Sequence, residues 1–175
     1  ELNPDQRNVL RQQALVESDR LAVLTDKVLL ATRADEGLLA LDQRELDVMQ
    51  LMRALVDRAR TQSARNHKIE LNGPDQLMAY TDAQALRSIA DNLIENAAKY
   101  APTGTTITVE LMKGREGWRL TVSDEGPGVP ATEKERIFER FYRGGSEETR
   151  AVTGTGLGLY IVQRLVQRMG GAVHV

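Results

Sequence analysis

The sequence predicts a mixed α/β domain that follows one long helix. An unbroken helical pattern covers about the first 33 residues, and short alternating strands and amphipathic helices succeed one another after it. Two glycine-bearing turns, residues 124–128 and 154–158, interrupt the second half. We therefore divide the chain into a helical segment, residues 1–35, and a globular domain, residues 36–175.

Composition limits the classes of protein to which the chain can belong. Its 175 residues suffice for one domain with an appendage, and 41% of them are hydrophobic, which allows a sizeable core. The net charge of −2 gives no electrostatic case for nucleic-acid binding. There is no cysteine, which excludes disulfides and thiolate chemistry. No apolar run approaches the roughly 18 residues of a membrane helix, and no signal peptide is recognisable.

The first helix is predicted to start at Asn3-Pro4-Asp5 and to end before Ala34-Asp35-Glu36-Gly37. Its side chains form an apolar stripe of the kind found in helical bundles, with one charge in it. Such a stripe needs a partner helix, although packing against the chain's own domain is an alternative. The stripe consists of Leu10, Ala14, Glu17, Leu21, Leu24, Val28 and Ala31.

The next segments are predicted to be a short extended run, a second helix and a hairpin. Residues 38–41 are apolar and extended, and residues 46–65 carry the periodicity of an amphipathic helix. The strands 68–71 and 77–80 flank Asn72-Gly73-Pro74-Asp75, a strong turn signal. This pattern is typical of a β-hairpin.

The second half continues with a capped helix and two strands. Thr81 or Asp82 can cap a helix that ends near Tyr100, and residues 105–112 and 118–124 alternate as strands do. Residues 130–152 are mostly polar and lie between the two glycine turns. Because long loops in compact domains are usually functional, we expect a lid here.

The two glycine turns indicate a purine nucleotide site. The first follows a strand and begins with Asp124, whose carboxylate can accept a hydrogen bond from an exocyclic amine. The second opens a helix, where glycines let backbone N–H groups approach an anion and the helix dipole favours negative charge. The carboxylate suits the base of a purine nucleotide, and the glycine-rich helix start suits its phosphates.

The helix before the first turn adds three polar candidates. Asn92 and Asn96 are four residues apart and share one helical face, with Lys99 one turn further on. Amide oxygens suit Mg²⁺, and lysine supplies a positive charge for phosphate. When the asparagines are taken alone, a solvated helix face is the simpler explanation. The order of helix, strand, first turn, lid, second turn and helix is far more specific.

At this point the sequence resembles a known family. Residues 82–171 are similar to the ATP-binding domain shared by sensor histidine kinases and their gyrase, chaperone and mismatch-repair relatives. Residues 3–33 resemble the second helix of the kinases' dimerisation and phosphotransfer hairpin. The matching motifs are the N box at Asn92–Asn96, the G1 box at Asp124–Gly128, the F box at Ile137–Arg143 and the G2 box at Gly154–Gly158.

The resemblance implies an α/β sandwich, a mixed β-sheet backed by helices, with an ATP lid between the two glycine boxes. It implies that Asp124 binds the adenine amine, that Asn96 ligates Mg²⁺, and that Arg143 reaches the γ-phosphate from the lid. The cofactors would be ATP and Mg²⁺. The ATP-binding residues would be Asn92, Asn96, Lys99, Tyr100, Asp124, Gly126, Gly128, Gly154, Thr155, Gly156, Leu157 and Gly158.

The implied activity is that of a protein histidine kinase, which passes the ATP γ-phosphoryl group to a histidine and then to a response-regulator aspartate. Neither His67 nor His174 lies in the family's phosphoacceptor motif, so that histidine is absent from the chain. Residues 172–175 read as the start of a truncated last strand. The resemblance further implies a homodimer formed through the first helix, and a cytoplasmic domain whose parent is anchored in the bacterial inner membrane.

Two other functions remain open from the sequence. One is an ATP-hydrolysing relative of the gyrase and chaperone type, although such a protein would lack the F box and the long helix. The other is a non-catalytic dimeric scaffold derived from a kinase. The intact Asn96, Asp124 and glycines disfavour the scaffold.

Overall fold

The computed structural model describes residues 3–115, 117–144 and 154–175, which fall into two compact units, Glu1–Leu39 and Ala40–Val175. Within the described residues, no helix is both long and apolar enough to cross a membrane. The elements in chain order are α1 (Pro4–Asp35), β1 (Gln43–Asp47), α2 (Val48–Thr61), β2 (Lys68–Asn72), β3 (Met78–Asp82), α3 (Ala83–Tyr100), β4 (Thr106–Lys113), β5 (Trp118–Ser123), a 3-10 turn (Arg136–Phe138) and α4 (Gly158–Arg168).

Helix α1 begins where the sequence predicts and ends at Asp35, two residues later than predicted. Asn3 caps it by accepting from the Gln6 N–H at 2.8 Å, and the Gln6 side chain accepts from the Asn3 N–H at 3.1 Å. This reciprocal pair satisfies two backbone donors at the helix start. Gly37, with φ of 70°, follows the last turn. Several large apolar side chains of α1 are about half exposed, among them Val9, Leu10, Val16, Leu21 and Val23.

The second unit contains a mixed sheet, as predicted. Its three strands lie in the order β2-β4-β5; β2 runs parallel to the central β4, and β5 runs antiparallel to it. Helices α2 and α3 cover the face that carries Ile107, Val109 and Leu111, which are almost fully buried. A separate two-stranded sheet pairs β1 with β3. The predicted α/β sandwich with a mixed sheet backed by helices is therefore confirmed.

Helices α2 and α3 start at aspartate caps. Asp82 caps α3, which confirms the second of the two predicted candidates, and Asp47 caps α2 in the same manner. Each carboxylate accepts from two backbone N–H groups that the first helical turn leaves without an internal partner. The donors are those of Met49, Gln50, Gln84 and Ala85.

The predicted start of the second helix was wrong. Residues 38–41, predicted to be extended, belong to no strand. Residues 46 and 47, predicted as helix, belong to β1, Gln43–Asp47. This segment is charged and has little intrinsic strand preference, but pairing with β3 satisfies its backbone groups. Helix α2 accordingly starts later and ends earlier than predicted, at Val48 and Thr61.

The predicted hairpin of residues 68–80 was also wrong. β2 pairs with β4, and β3 pairs with β1, so the two neighbours in sequence do not pair with each other. Gly73 follows β2, and a Cβ placed there would lie 3.0 Å from the Leu111 carbonyl oxygen. The turn signal therefore marks a close crossing over β4 rather than a hairpin.

The predictions for the two later strands, the lid and the last residues had different outcomes. β4 and β5 form at the two segments predicted as strands, and the structure pairs them antiparallel. The predicted lid contains a 3-10 turn at Arg136–Phe138, and its part from 145 to 152 lies outside the described residues. Residues 172–175, predicted to begin a strand, belong to no strand.

Candidate functional site

The start of α4 lies against the asparagine face of α3. A Cβ built on Gly158 would be 2.9 Å from Asn92 Oδ1 and 3.8 Å from Asn96 Nδ2. Any larger residue at position 158 would therefore collide with Asn92. The structure brings together both predicted asparagines and the last glycine of the second turn, which are more than 60 residues apart in sequence.

Asn92 is held in a fixed orientation. It is only 6% exposed, and its Nδ2 donates to the Ser88 carbonyl oxygen at 2.8 Å. That bond directs the amide oxygen towards Gly158 and the start of α4. A buried amide oriented in this way indicates a structural requirement beyond a solvated helix face.

The second glycine turn presents a helix start to the site. Leu157 is fully buried, and its N–H donates to Thr155 Oγ1 at 3.3 Å. The N-cap residue, Leu157, makes no side-chain capping bond to the first turn of α4. The N–H groups of that turn and the positive end of the helix dipole make this end of α4 suited to an anion.

Lys99 lies beside the first glycine of that turn. Its Nζ occupies the space that a Cβ on Gly154 would fill. The same ammonium lies 4.8 Å from the centroid of the Tyr100 ring and 3.3 Å from its hydroxyl oxygen. The structure thus places Lys99, Tyr100 and Gly154 together, with a positive charge at the start of the second turn.

The first glycine turn closes around Asp124. Its Oδ1 accepts from the Gly126 N–H at 2.8 Å, which fixes one side of the carboxylate. A Cβ on Gly126 would be 3.0 Å from the Tyr100 carbonyl oxygen, so the turn packs on the end of α3. Gly128 has φ of 70° with open space around it. Asp124 itself is exposed.

Phe141, which lies in the predicted F box, connects the lid region to the second turn, a contact that was not predicted from the sequence. Its N–H donates to the Gly156 carbonyl oxygen at 3.0 Å. A Cβ on Gly156, where φ is 67°, would be 2.6 Å from the Phe141 carbonyl carbon. Phe141 has φ of 60°, a left-handed conformation rare for residues other than glycine. No residue pattern announces such a conformation.

Arg143, the predicted lid arginine, lies near the end of the described part of the lid. Arg143 is exposed and lies two residues beyond Phe141, and the segment that follows it, 145–153, is outside the described residues. Its role at the γ-phosphate stays a prediction.

The donor set fits the predicted metal. Among the described residues, no group of three or more histidine and carboxylate side chains could hold an ion. Mg²⁺ in nucleotide sites needs few protein ligands, because waters and phosphate oxygens supply the rest. The amides of Asn92 and Asn96, beside the anion-binding end of α4, provide the hard oxygen donors that this chemistry requires.

An ion pair ties α3 to α2 next to the asparagine face. Arg58 donates to Asp91, the residue before Asn92, and this hydrogen bond raises the pKa of Arg58 against the opposing effect of burial. Both side chains are more than 30% exposed, so the pair contributes to orientation more than to stability.

Comparison with known proteins agrees with this geometry. The family model for histidine kinase-, DNA gyrase B-, and HSP90-like ATPases matches residues 81–175, more than half of the chain. The sensor histidine kinase WalK of Bacillus subtilis is 31% identical over 90% of this chain and 26% of its own length. The histidine-protein kinase/phosphatase MprB of Mycolicibacterium smegmatis is 34% identical over 99% of this chain and 34% of its own. The chain thus spans about a quarter to a third of these relatives.

Solved structures show the same fold. A mycobacterial MprB structure superposes with a TM-score of 0.66 and 29% identity, covering 75% of this chain and 83% of that one. Full-length ShkA in complex with AMPPNP gives a TM-score of 0.79 and 31% identity, covering 99% of this chain and 36% of that one. The chain therefore belongs to the family of histidine kinase-, DNA gyrase B- and HSP90-like ATPases.

Proposed function

We propose that the chain is the ATP-binding catalytic part of a bacterial sensor histidine kinase. The observation that carries this proposal is the contact of Gly158 with Asn92 and Asn96, which brings the asparagine helix and the second glycine turn together. The similarity to sensor kinases over nearly the whole chain, α1 included, favours a kinase over the hydrolysing relatives.

The adenine end of the site is proposed to lie at the first turn. Asp124 accepts from the exocyclic amine of adenine, and its bond to the Gly126 N–H leaves the carboxylate oriented for that role. Guanine carries a carbonyl oxygen in place of this amine, so an acceptor at this position selects adenine. Tyr100, at the end of α3, lies beside the same turn.

The phosphate end is proposed to lie at the second turn. The backbone from Gly154 to Gly158 and the start of α4 receive the phosphates, with Lys99 supplying a positive charge beside Gly154. Asn96, with Asn92 next to it, would hold Mg²⁺, which neutralises phosphate charge when it is bound. Arg143 is proposed to approach the γ-phosphate.

In the transfer step, a histidine imidazole nitrogen attacks the γ-phosphorus of ATP. A phosphorus–nitrogen bond forms, the bond to the β-phosphate oxygen breaks, and ADP leaves. The protein's work here is positioning and electrostatic stabilisation. The phosphoryl group would pass on to an aspartate of a response regulator. We further propose that the parent protein is a membrane-anchored homodimer, in which the exposed apolar side chains of α1 pack against a second copy.

The kinase proposal is tested by phosphoryl transfer in trans. The chain is mixed with a separately prepared dimerisation hairpin that carries the phosphoacceptor histidine, together with Mg²⁺ and ATP labelled at the γ-position. Label should reach the hairpin as an acid-labile, base-stable phosphohistidine. Asn96→Ala should reduce the initial rate at least tenfold, because truncation removes the amide from the phosphate end.

Asn72→Ala is the matched control, since Asn72 is exposed at the end of β2, a strand that carries none of the proposed site residues. It should transfer label at the unmodified rate. Release of free phosphate without labelled hairpin would instead favour a hydrolysing relative. Absence of both transfer and hydrolysis would contradict the kinase proposal and favour a scaffold.

A further inference from the structure

Glu125, the second residue of the first glycine turn, makes a bond that the nucleotide chemistry does not use. Its Oε1 accepts from the Thr106 N–H at 3.0 Å. The two residues are 19 positions apart, and Thr106 is the first residue of β4. The side chain that follows Asp124 is thus attached to the central strand of the sheet.

The register of the sheet explains why this bond exists. Thr108 of β4 pairs with Ser123 of β5, so one further step of two residues would place Thr106 opposite Glu125. The Thr105 carbonyl oxygen accepts from the β2 residue Lys68 at 3.2 Å. Because successive residues point their backbone groups to opposite edges, the Thr106 N–H points towards β5.

β5, however, ends at Ser123, and the backbone beyond it turns away. The Glu125 carboxylate therefore occupies the position in which a main-chain acceptor of a longer β5 would satisfy the Thr106 N–H. The ladder keeps its last donor bonded while the backbone leaves the sheet to form the turn.

This bond is a second anchor of the turn. Asp124 Oδ1 holds the Gly126 N–H within the turn, and Gly126 packs on the carbonyl oxygen of Tyr100 at the end of α3. Glu125 holds the same turn to the start of β4. The position of Asp124 is therefore set by both a helix and a strand.

We propose that Glu125 is a positioning residue that holds Asp124 in place and so sets selectivity for adenine over guanine nucleotides. The proposal rests on the function proposed above. Glu125 itself does not touch the nucleotide; its effect passes through the turn. The role requires an acceptor oxygen at the reach of a glutamate side chain and does not require a negative charge.

Two conservative substitutions separate these requirements. Glu125→Gln keeps the length and an acceptor oxygen but removes the charge, whereas Glu125→Asp keeps the charge but is one methylene too short for Thr106. We measure binding of AMPPNP and of its guanine analogue, each with Mg²⁺, by calorimetric titration. Glu125→Asp should weaken AMPPNP binding about fivefold to tenfold and reduce the adenine-to-guanine affinity ratio. Glu125→Gln should retain both the AMPPNP affinity and the adenine-to-guanine affinity ratio within about twofold.

Glu110→Asp is the control, because Glu110 lies within β4 and away from the turn. It should bind as the unmodified chain does. Fluorescence of Trp118, the single tryptophan, reports whether each variant is folded. A general loss of stability would weaken both nucleotides equally and leave the ratio unchanged.

The outcomes separate this inference from the proposed function. If the unmodified chain and Glu125→Asp show the same adenine-to-guanine ratio while Asp124→Ala loses binding, the positioning role is wrong and the nucleotide site stands. If Glu125→Gln loses selectivity and Glu125→Asp retains it, the charge matters and the acceptor role is wrong. Failure of the unmodified chain to bind either nucleotide would overturn both proposals.

Discussion

At the scale of single residues, Asp47 shows how one carboxylate joins two segments. It accepts from the Leu77 N–H at 3.1 Å, as well as from the two N–H groups of the α2 cap. The Leu77 bond contributes most to lowering the pKa of Asp47 below its ordinary value of 3.8, and the cap bonds and Arg53 act in the same direction while desolvation opposes them. Hydrogen bonds to the charged form favour that form.

Asp47 should therefore make stability depend on pH on the acid side. Because its pKa is lower in the folded chain than in the unfolded chain, its stabilisation is present above about pH 4 and is lost as the pH falls through the folded-state pKa. The urea midpoint of the unmodified chain should exceed that of Asp47→Asn at pH 7, and the difference should shrink towards pH 3.

The control for Asp47 is Asp57→Asn. Asp57 also lies on α2, but it is exposed and forms a surface ion pair with Arg60. Exposed pairs of this kind contribute little, so the substitution should barely change the midpoint at pH 7. A difference between the unmodified chain and Asp47→Asn that stays constant from pH 7 to pH 3 would contradict the assigned role.

Sequence reasoning reaches some of the site residues and not others. Asp124 could be proposed because it ends a strand and precedes two glycines, a local pattern with a clear chemical use. The Glu125 bond to Thr106 could not, because it depends on where β5 stops relative to β4. The left-handed conformation of Phe141 could not be predicted either, because it accompanies a hydrogen bond to Gly156, which belongs to another segment.

At the scale of elements, the second glycine turn is constrained by its neighbours as well as by its own backbone. Gly156 combines a φ of 67° with direct contact to the Phe141 backbone. Because the added Cβ would overlap the Phe141 backbone, Gly156→Ala should displace either the second glycine turn or the lid segment at Phe141. We expect a loss of unfolding free energy greater than the roughly 1 to 2 kcal/mol of left-handed strain alone, with weaker AMPPNP binding.

Gly104→Ala separates strain from steric overlap. Gly104 has φ of 88°, but no atom lies within 4 Å of the added Cβ. It should lose about 1 kcal/mol in urea denaturation and bind AMPPNP normally, because only the conformational cost remains. Equal losses for the two variants would show that the Phe141 contact does not constrain the turn.

The elements that sequence reasoning assigned wrongly were those decided by tertiary pairing. β1 is a charged segment that forms a strand because its backbone pairs with β3. The false hairpin arose because Asn72-Gly73-Pro74-Asp75 is a local turn signal, whereas the partner of β2 is the distant β4. Helices α1 and α3 were predicted well, because their periodicity and caps are local.

At the scale of the whole molecule, the order of motifs was more informative than any single motif. An asparagine helix, a strand with its glycine turn, and a glycine turn with its helix are separate along the chain, yet the structure brings Asn92 to Gly158 and Tyr100 to Gly126. That order predicted the fold and the family, both of which are confirmed. Strand pairing and the lid contact at Phe141 had to come from the structure.

We propose that the chain binds ATP through Asp124 and the asparagine face of α3. The decisive measurement is calorimetric titration of the chain with AMPPNP and Mg²⁺, with the guanine analogue as competitor and Asp124→Ala beside it. We expect Mg²⁺-dependent, adenine-selective binding at one site, lost in Asp124→Ala while Trp118 fluorescence stays native. Undiminished affinity in Asp124→Ala, or equal affinity for the two nucleotides, would contradict the assignment.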